Sequence, residues 1–247
     1  MRSPARNIIL GGRDYASRWG LVEHWRLDEP SGNALGSYGG NTLTDNNTVT
    51  SAVGKVGGLA RQFTAASSEY LSRVDNAALS GADVDLWVAA WAFFDALGVA
   101  HTIVGKRDDT GNQREYVLDY VISLNAWRWL VSGDGAATAT PTYTGAAAIA
   151  ARWYFVMSYH DAVNNLLGLS VNGGAWDTVA HTTGVFNGTA PFHIGSLLNA
   201  GAPTNFMDGK IGPVYFGKSP SLGIGILRNE IRDRLYSGGA GKAFPWR

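Results

Sequence analysis

The chain has 247 residues, with 20 Lys and Arg against 20 Asp and Glu, and it contains no cysteine. A formal net charge of zero excludes the long-range electrostatic field that draws a protein to nucleic acid or to an anionic membrane. The lack of cysteine excludes disulfides, a thiolate nucleophile and cysteine-ligated zinc or iron–sulfur centres.

The first twenty residues differ from the rest of the chain. Arg2, Arg6, Arg13 and Arg18 stand against a single acidic residue, Asp14, and the segment shows little hydrophobic periodicity. We therefore predict an extended basic arm over residues 1–20, followed by one domain over residues 21–247. Such an arm would anchor the domain on a neighbouring protein subunit, as segments that fold on contact do. Deleting residues 2–18 is then expected to abolish assembly and to leave thermal unfolding unchanged.

Short apolar segments separated by glycine, asparagine, serine and threonine follow the arm, which is typical of an all-β protein. The predicted strands are residues 21–27, 70–74, 86–94, 102–106, 115–120, 127–132, 153–159, 166–171, 192–195 and 210–216. Residues 86–94 are apolar on both faces, which indicates a central strand of a sandwich. The pair Asn172-Gly173 follows residues 166–171 and favours a tight hairpin turn, because both residue types tolerate positive φ.

One helix is predicted near the C-terminus. Ile224, Leu227, Ile231 and Leu235 recur at spacings of three and four residues, and a glycine pair at 238–239 ends the segment. The alanine-rich residues 136–151 also contain threonine, proline and glycine, which favour a loop with at most one strand. The longest apolar run, residues 86–94, is far shorter than the roughly 18 residues of a membrane-spanning helix.

A series of short motifs runs from residue 20 to the C-terminus in a recognisable order. The series includes the turn Asp28-Glu29-Pro30-Ser31-Gly32, the glycine-rich segment 54–63, the hairpin sequence Leu169-Ser170-Val171-Asn172-Gly173, the segment 206–214 and the ending 235–241. In this order the motifs resemble the laminin-G-like members of the concanavalin A-like lectin/glucanase superfamily. The resemblance implies a two-sheet antiparallel jelly roll. It does not fix the function, because this superfamily contains lectins, glycanases, adhesion modules and virion proteins.

Catalysis is not predicted. The glucanases of the superfamily carry two carboxylates on one face of one strand, in an E-x-D-x-x-E or E-x-D-x-E pattern, and no segment of this chain matches it. The nearest acidic cluster, Glu230-Ile231-Arg232-Asp233, lies on the predicted helix, where a solvated helix face explains it better. No G-x-S-x-G sequence indicates a serine hydrolase.

No cofactor is required by the sequence, and calcium is the ion that fits best. Laminin-G-like members often hold calcium with acids of the loops at the sandwich rim, and Asp108, Asp109, Asp134 and Asp208 are turn or loop acids here. Solvated turn aspartates are the competing interpretation. The five histidines show no spacing typical of a metal site.

Glycan binding requires exposed aromatic rings beside amide or carboxylate groups. Trp127, Trp129 and Trp176 lie beside predicted turns, and Asn125 and Asn199 lie nearby in the sequence. We take these five residues as the candidate glycan site, with burial of the tryptophans in the core as the alternative.

The predicted function is a non-enzymatic recognition or assembly module. A single cysteine-free domain with a basic arm, and with no secretory-signal core in its first residues, resembles accessory structural proteins of bacteriophage particles, such as capsid decoration or tail-associated modules. This resemblance implies a virion or extracellular location, homo-oligomers on a larger particle, a capsid or tail subunit as partner and a cell-surface glycan as a further ligand. Two alternatives remain: a secreted or cell-surface lectin-like module, and a divergent endo-glycanase.

Overall fold

Two antiparallel β-sheets packed face to face form the body of the protein. The computed structural model describes residues 12–141, 143 and 145–245, apart from the side chains of residues 12–14. Arg2, Arg6 and the side chain of Arg13, which the sequence assigns to the arm, lie outside the described residues. The prediction of an all-β, two-sheet antiparallel sandwich with a helix near the C-terminus is confirmed.

Sixteen strands and two α-helices occur in the described residues. The strands are β1 (Leu21–Trp25), β2 (Thr44–Asn46), β3 (Thr50–Val53), β4 (Leu59–Phe63), β5 (Tyr70–Arg73), β6 (Leu86–Phe94), β7 (His101–Asp108), β8 (Gln113–Val121), β9 (Ala126–Val131), β10 (Trp153–Asp161), β11 (Leu166–Val171), β12 (Asp177–Ala180), β13 (Phe192–Ile194), β14 (Leu197–Asn199), β15 (Ala202–Thr204) and β16 (Gly209–Lys218). The helices are α1 (Gly12–Arg18) and α2 (Ile224–Tyr236).

The strands divide into two large sheets and one separate hairpin. The first sheet has eight strands in the order β12-β11-β10-β6-β16-β4-β3, and β1 also pairs with β16. The second sheet has six strands in the order β2-β5-β13-β7-β8-β9. The hairpin of β14 and β15 lies on the outer face of the six-stranded sheet, where Leu197 packs with Val117 and Leu130. Residues adjacent in a sheet are thus far apart in sequence, as in other jelly rolls.

Aromatic side chains from both sheets meet in the main hydrophobic core. Trp25 from the eight-stranded sheet stacks on Phe192 from the six-stranded sheet, with 5.0 Å between ring centroids. Phe94 packs against Trp127 and Tyr120 at 5.2 and 5.3 Å. All five side chains are fully buried. Burial of each large apolar side chain stabilises the folded state by about 1.5–3 kcal/mol.

The outer face of the eight-stranded sheet is covered by α2, which forms a second hydrophobic core with it. The buried residues of this helix are Ile224, Leu227, Ile231 and Leu235, the four that the spacing predicts. Beyond the helix, Ser237 and Gly238 adopt positive φ, so the chain leaves the helical conformation at the predicted glycines. Neither described helix has the length and hydrophobicity needed to span a lipid bilayer.

Residues 12–20 differ from the extended arm that the sequence predicts, because they form α1 and a turn packed against the body. Ala16 and Trp19 are fully buried in the second core. The carbonyl of Trp19 accepts a hydrogen bond from the indole of Trp87 at 2.8 Å, and Arg18 forms an ion pair with Glu230 of α2 at 2.9 Å. Arg18 is therefore bound within the domain. The physical reason is the apolar pair of Ala16 and Trp19, which is too short to show helical periodicity.

Candidate functional site

A pocket of about 480 Å³ lies at one end of the sandwich, and we call it the rim pocket. Its lining residues are Ala65, Ala66, Val99, Ala100, Asn205, Phe206 and Asp208. They come from three connections: between β4 and β5, between β6 and β7, and between β15 and β16. The jelly-roll topology thus brings three distant parts of the sequence to one rim.

Backbone hydrogen bonds fix residues 205–208 against the ends of β6 and β7. The carbonyl of Asn205, which has a φ of +52°, accepts a bond from the amide of Thr102 at 3.1 Å. The amide of Asp208 donates to Nδ1 of His101 at 3.2 Å, and its carbonyl accepts from the amide of Asp95 at 3.1 Å. These bonds hold the loop in one conformation, which is what a preformed binding site requires.

Alternation along the same loop decides which side chains reach the pocket. Met207 is fully buried in the main core, whereas its neighbours Phe206 and Asp208 line the pocket and are half-buried. Successive side chains of an extended segment point to opposite sides, so anchoring Met207 inward directs the other two outward.

Phe206 is the end of a short row of rings. Its ring centroid lies 6.1 Å from that of Tyr70, and Tyr70 stacks on His193 at 4.9 Å. His193 is buried, and its Nδ1 bonds to the hydroxyl of Ser196 at 2.8 Å. The row continues along the outer face of the six-stranded sheet beside the β14–β15 hairpin. The half-buried rings of Phe206 and Tyr70 supply an apolar surface on which a flat ligand can stack.

The charge of the rim pocket comes from Asp208. No Lys or Arg side chain is among the described residues that line it. Lys210 lies in the adjoining strand, but its Nζ is 2.7 Å from the carboxylate of Asp95 and 3.9 Å from the ring centroid of Phe93. Burial lowers the pKa of His101, behind Asp208, to about 4, although the Asp208 carboxylate acts to raise it. At neutral pH His101 is uncharged. It therefore supplies no positive charge beside the Asp208 carboxylate, which faces the pocket.

Trp127 and Trp129 do not form a glycan platform, which corrects the sequence-based prediction. Both are fully buried in the main core. The reason is the alternation in β9, where Trp127, Trp129 and Val131 point inward and Arg128 points outward to pair with Asp119.

The other three predicted glycan residues lie on separate elements. Trp176 is half-buried: its ring packs edge-on against Tyr159 at 4.9 Å, and its indole donates to Asn229 at 2.7 Å. Asn125 occupies the turn between β8 and β9, where its side-chain oxygen accepts a bond from the hydroxyl of Tyr120. Asn199 is exposed at the end of β14. Among the described residues, no hydrogen bond or ring contact joins these three side chains, so they do not make one site.

Two of the four predicted calcium ligands stand close together but are engaged by protein donors. Asp108 accepts bonds from the amides of Thr110 and Gly201 at 3.0 and 3.1 Å. Hydrogen bonds and charge from Arg107 and Arg114 lower the pKa of Asp109 to about 2.

The other two predicted ligands are separate from that pair. Backbone amides of Ala136 and Ala137 lower the pKa of the exposed Asp134 carboxyl. Asp208 lines the rim pocket. In the described part of the chain, no three His, Asp or Glu side chains come together as a group that could hold a metal ion. Calcium binding stays a prediction.

Sequence reasoning identified Asp208 but missed the rest of the rim pocket. Phe206 lies in the motif segment 206–214, and Tyr70 in a predicted strand, but neither they nor Asn205 were predicted as ligand-binding residues. The signal that could have found two of them is the sequence Asn205-Phe206-Met207-Asp208, in which one apolar residue must face outward if the other is buried. The contribution of Tyr70 and of residues 65–66 depends on sheet order, which the local sequence does not contain.

Several solved structures share this fold. Domain 4 of AbnA, a GH43 extracellular arabinanase from Geobacillus stearothermophilus solved in complex with arabinotriose, has a TM-score of 0.56 and 18% identity, over 81% of this chain and 95% of that one. The binding domain of Paraclostridial Mosquitocidal Protein 1 has a TM-score of 0.61 and 10% identity, over 81% and 48%. A Trypanosoma rangeli sialidase has a TM-score of 0.61 and 17% identity, over 91% and 34%.

At these identities the likeness establishes the fold alone. The chain spans nearly all of the arabinanase domain, about half of the mosquitocidal binding domain and about a third of the sialidase. No protein-family profile and no curated protein sequence matches the chain. The chain is therefore a β-sandwich with the same fold as these three proteins.

Proposed function

We propose that the chain is a non-catalytic carbohydrate-binding module and that the rim pocket holds the sugar. The observation that carries this proposal is the half-buried Phe206 ring beside the Asp208 carboxylate and the Asn205 amide in one open pocket of about 480 Å³. Protein sites for small ligands combine an apolar wall with a few polar groups in this way.

The chemistry of a sugar fits this lining. One face of a sugar ring presents C–H groups, which pack on an aromatic ring and on the small apolar side chains of Ala65, Ala66 and Val99. The hydroxyl groups at the ring edge donate to the Asp208 carboxylate, and a bond to a charged acceptor is stronger than one to a neutral acceptor. The Asn205 amide both donates and accepts, so it serves a further hydroxyl.

The comparisons support the proposal at the level of the fold. A domain with the same architecture is solved with arabinotriose, and that domain covers 81% of this chain. The binding domain of the mosquitocidal protein has the same architecture over the same share of the chain. Binding without catalysis is a use that this architecture supports, and the site decides the function rather than the fold.

The arrangement of acids favours binding over hydrolysis. Glycoside hydrolases use two carboxyl groups about 5–10 Å apart across the bond that is cleaved. Of the described residues that line the rim pocket, one is an acid, Asp208. The carboxylate of neighbouring Asp95 accepts bonds from Lys210 and Gln62, both at 2.7 Å. We therefore expect no release of reducing sugar from a panel of polysaccharides, and release by the purified protein would favour the endo-glycanase alternative.

A glycan array with the wild-type protein and two variants tests the proposal. We expect the wild type to bind one group of glycans and Phe206→Ala to lose at least about fivefold in affinity, because aromatic stacking on a ligand ring contributes about 1–3 kcal/mol. Leu222→Ala is the matched control, since Leu222 is 52% exposed and does not line the rim pocket. Arrays with calcium and with a chelator separate a calcium-dependent lectin from a calcium-independent one. Equal binding by the wild type and Phe206→Ala would contradict the proposal.

A role in a larger particle, such as a phage virion, is the second proposal. The observation in favour of a protein partner is an exposed apolar group at the start of α2, where Val163, Leu222 and Ile226 are 79%, 52% and 71% exposed and line one pocket of about 240 Å³. Contiguous exposed apolar surface is typical of protein interfaces. The test is whether the protein purifies as part of a particle and whether Ile226→Lys releases it. Failure of the wild-type protein to associate with any particle would dismiss this role.

A further inference from the structure

We infer that the rim pocket selects neutral sugars and rejects sugars that carry a carboxylate, such as uronic acids. The inference rests on the proposed function, because it names the class of ligand for the same site. It follows from the distribution of charge around the pocket, independently of which sugar binds.

The described residues that line the pocket include one anion and no cation. Asp208 is charged, whereas the other described residues of its lining are alanine, valine, asparagine and phenylalanine. A site for a carboxylated sugar would need an Arg or Lys beside the ligand, since a carboxylate is bound best by a charged donor. The described lining offers the Asn205 amide as its neutral side-chain donor.

Lys210 and His101, which lie near the pocket, do not neutralise the negative charge of Asp208. The ammonium group of Lys210 lies 2.7 Å from the Asp95 carboxylate and over the ring of Phe93. His101 is fully buried, and its Nδ1 accepts a hydrogen bond from the amide of Asp208 at 3.2 Å. Nδ1 therefore carries no proton, and the ring is not a cation. A ligand carboxylate would therefore meet Asp208 across the pocket, and no described residue of the lining places a positive charge between them.

The expected discrimination is moderate. Repulsion between two like charges about 4 Å apart weakens binding by about fivefold at the dielectric of bulk water and by about a thousandfold at the effective dielectric of a protein surface. Salt reduces the repulsion for exposed pairs, and the rim pocket is open to solvent. We expect the acidic sugar to bind at least about tenfold more weakly than its neutral counterpart.

The test uses matched pairs of oligosaccharides that end in a hexose or in the corresponding hexuronic acid, built on the tightest ligand of the array. Titration calorimetry gives the ratio of the two dissociation constants for the wild type and for Asp208→Asn. We expect the wild type to prefer the neutral member by about tenfold or more, and Asp208→Asn to reduce this preference to about threefold or less. Asp233→Asn is the control, because it changes the net charge equally at an exposed position on α2.

The possible outcomes distinguish a failure of the charge selectivity from a failure of sugar binding itself. A wild-type protein that binds the acidic member as tightly as the neutral one would overturn the selectivity, while leaving sugar binding in place. An unchanged ratio in Asp208→Asn would also overturn it, since the discrimination would then come from another group. If the array shows no glycan that binds, the proposed function itself fails and the selectivity fails with it.

Discussion

Several buried ionisable side chains have hydrogen-bonding partners in this protein, and the pair of Lys106 and Glu115 is the clearest case. Both side chains are completely buried and form an ion pair at one end of the main core. Glu115 also accepts bonds from the amides of Gly81 and Gly188 at 2.6 and 2.9 Å. Lys106 donates to Asp75 at 2.8 Å. The two residues therefore hold the loops that contain Gly81 and Gly188 against the six-stranded sheet.

Removing one partner of this pair should destabilise the fold strongly. We expect Glu115→Ala to lower the free energy of unfolding by about 3–5 kcal/mol, because it leaves the ammonium group of Lys106 buried with less compensation. Urea denaturation at pH 7 measures the change. The double variant Lys106→Met with Glu115→Leu should recover much of the loss, since it removes both charges. A loss below about 1 kcal/mol in Glu115→Ala would mean that solvent reaches the pair.

The tryptophans show what the sequence can predict about single residues. The alternation of Trp127, Arg128 and Trp129 places the two indoles on one face and the guanidinium on the other, so their burial could be deduced once β9 was known to lie in a sandwich. Trp176 stands in an irregular segment with no alternation. Its contact with Tyr159 of β10 depends on tertiary packing, and the sequence around it gives no indication of that contact.

Among the elements, long strands were predicted well, whereas of the strands with three or four residues β5 and β13 were predicted and five others were not. The segment 86–94 matches β6 residue for residue, and 166–171 matches β11, because both are apolar runs bounded by turn residues. β2, β3, β12, β14 and β15 have three or four residues each and expose many of them. Such strands exist because a neighbouring strand offers hydrogen bonds, and that partner is distant in sequence.

The first helix changes the outcome expected for a deletion. α1 buries Ala16 against the second core, and Arg18 pairs with Glu230. We therefore expect deletion of residues 2–18 to lower the melting temperature by several degrees, since a loss of about 1 kcal/mol shifts it by about 2–4 °C in a domain of this size. Differential scanning calorimetry of the full chain and the deletion variant measures it. Arg18→Ala alone should have little effect, because an exposed ion pair contributes at most about 1 kcal/mol. An unchanged melting temperature in the deletion variant would support the independent arm.

At the scale of the whole molecule, buried histidines couple stability to pH. Burial lowers the pKa of His24 to about 3 and those of His101 and His193 to about 4. An unfolded histidine titrates near 6.5, so between about pH 6.5 and pH 4 the unfolded state binds more protons than the folded state. Stability contributed by these three groups is present above pH 6.5 and is lost as the pH falls.

We expect the free energy of unfolding to fall by up to about 4 kcal/mol per pH unit between pH 6 and pH 4.5, because each histidine contributes at most about 1.4 kcal/mol per unit. Urea denaturation at a series of pH values measures the slope. His24→Phe keeps a ring stacked on Tyr215, where the centroids are 4.5 Å apart, and should reduce the slope by about a third. A stability that is constant from pH 7 to pH 5 would show that these rings are already protonated or exposed in the folded protein.

The architecture as a whole followed from the order of the motifs, whereas the rim pocket did not. Its lining comes from three connections that the sheet order brings together, and each connection alone is an unremarkable turn. Asp208 was predicted as a rim acid because it lies in a turn or loop. Its role beside Phe206 depends on the burial of Met207, which is a property of the packed core.

The most direct test of sugar binding at the rim pocket is a crystal structure of the protein with the tightest ligand of the glycan array. We expect a sugar ring against Phe206, with at least one hydroxyl about 2.5–3.0 Å from the Asp208 carboxylate. A sugar bound elsewhere, for example against Trp176, or a rim pocket that stays empty while the ligand is bound, would contradict the proposal.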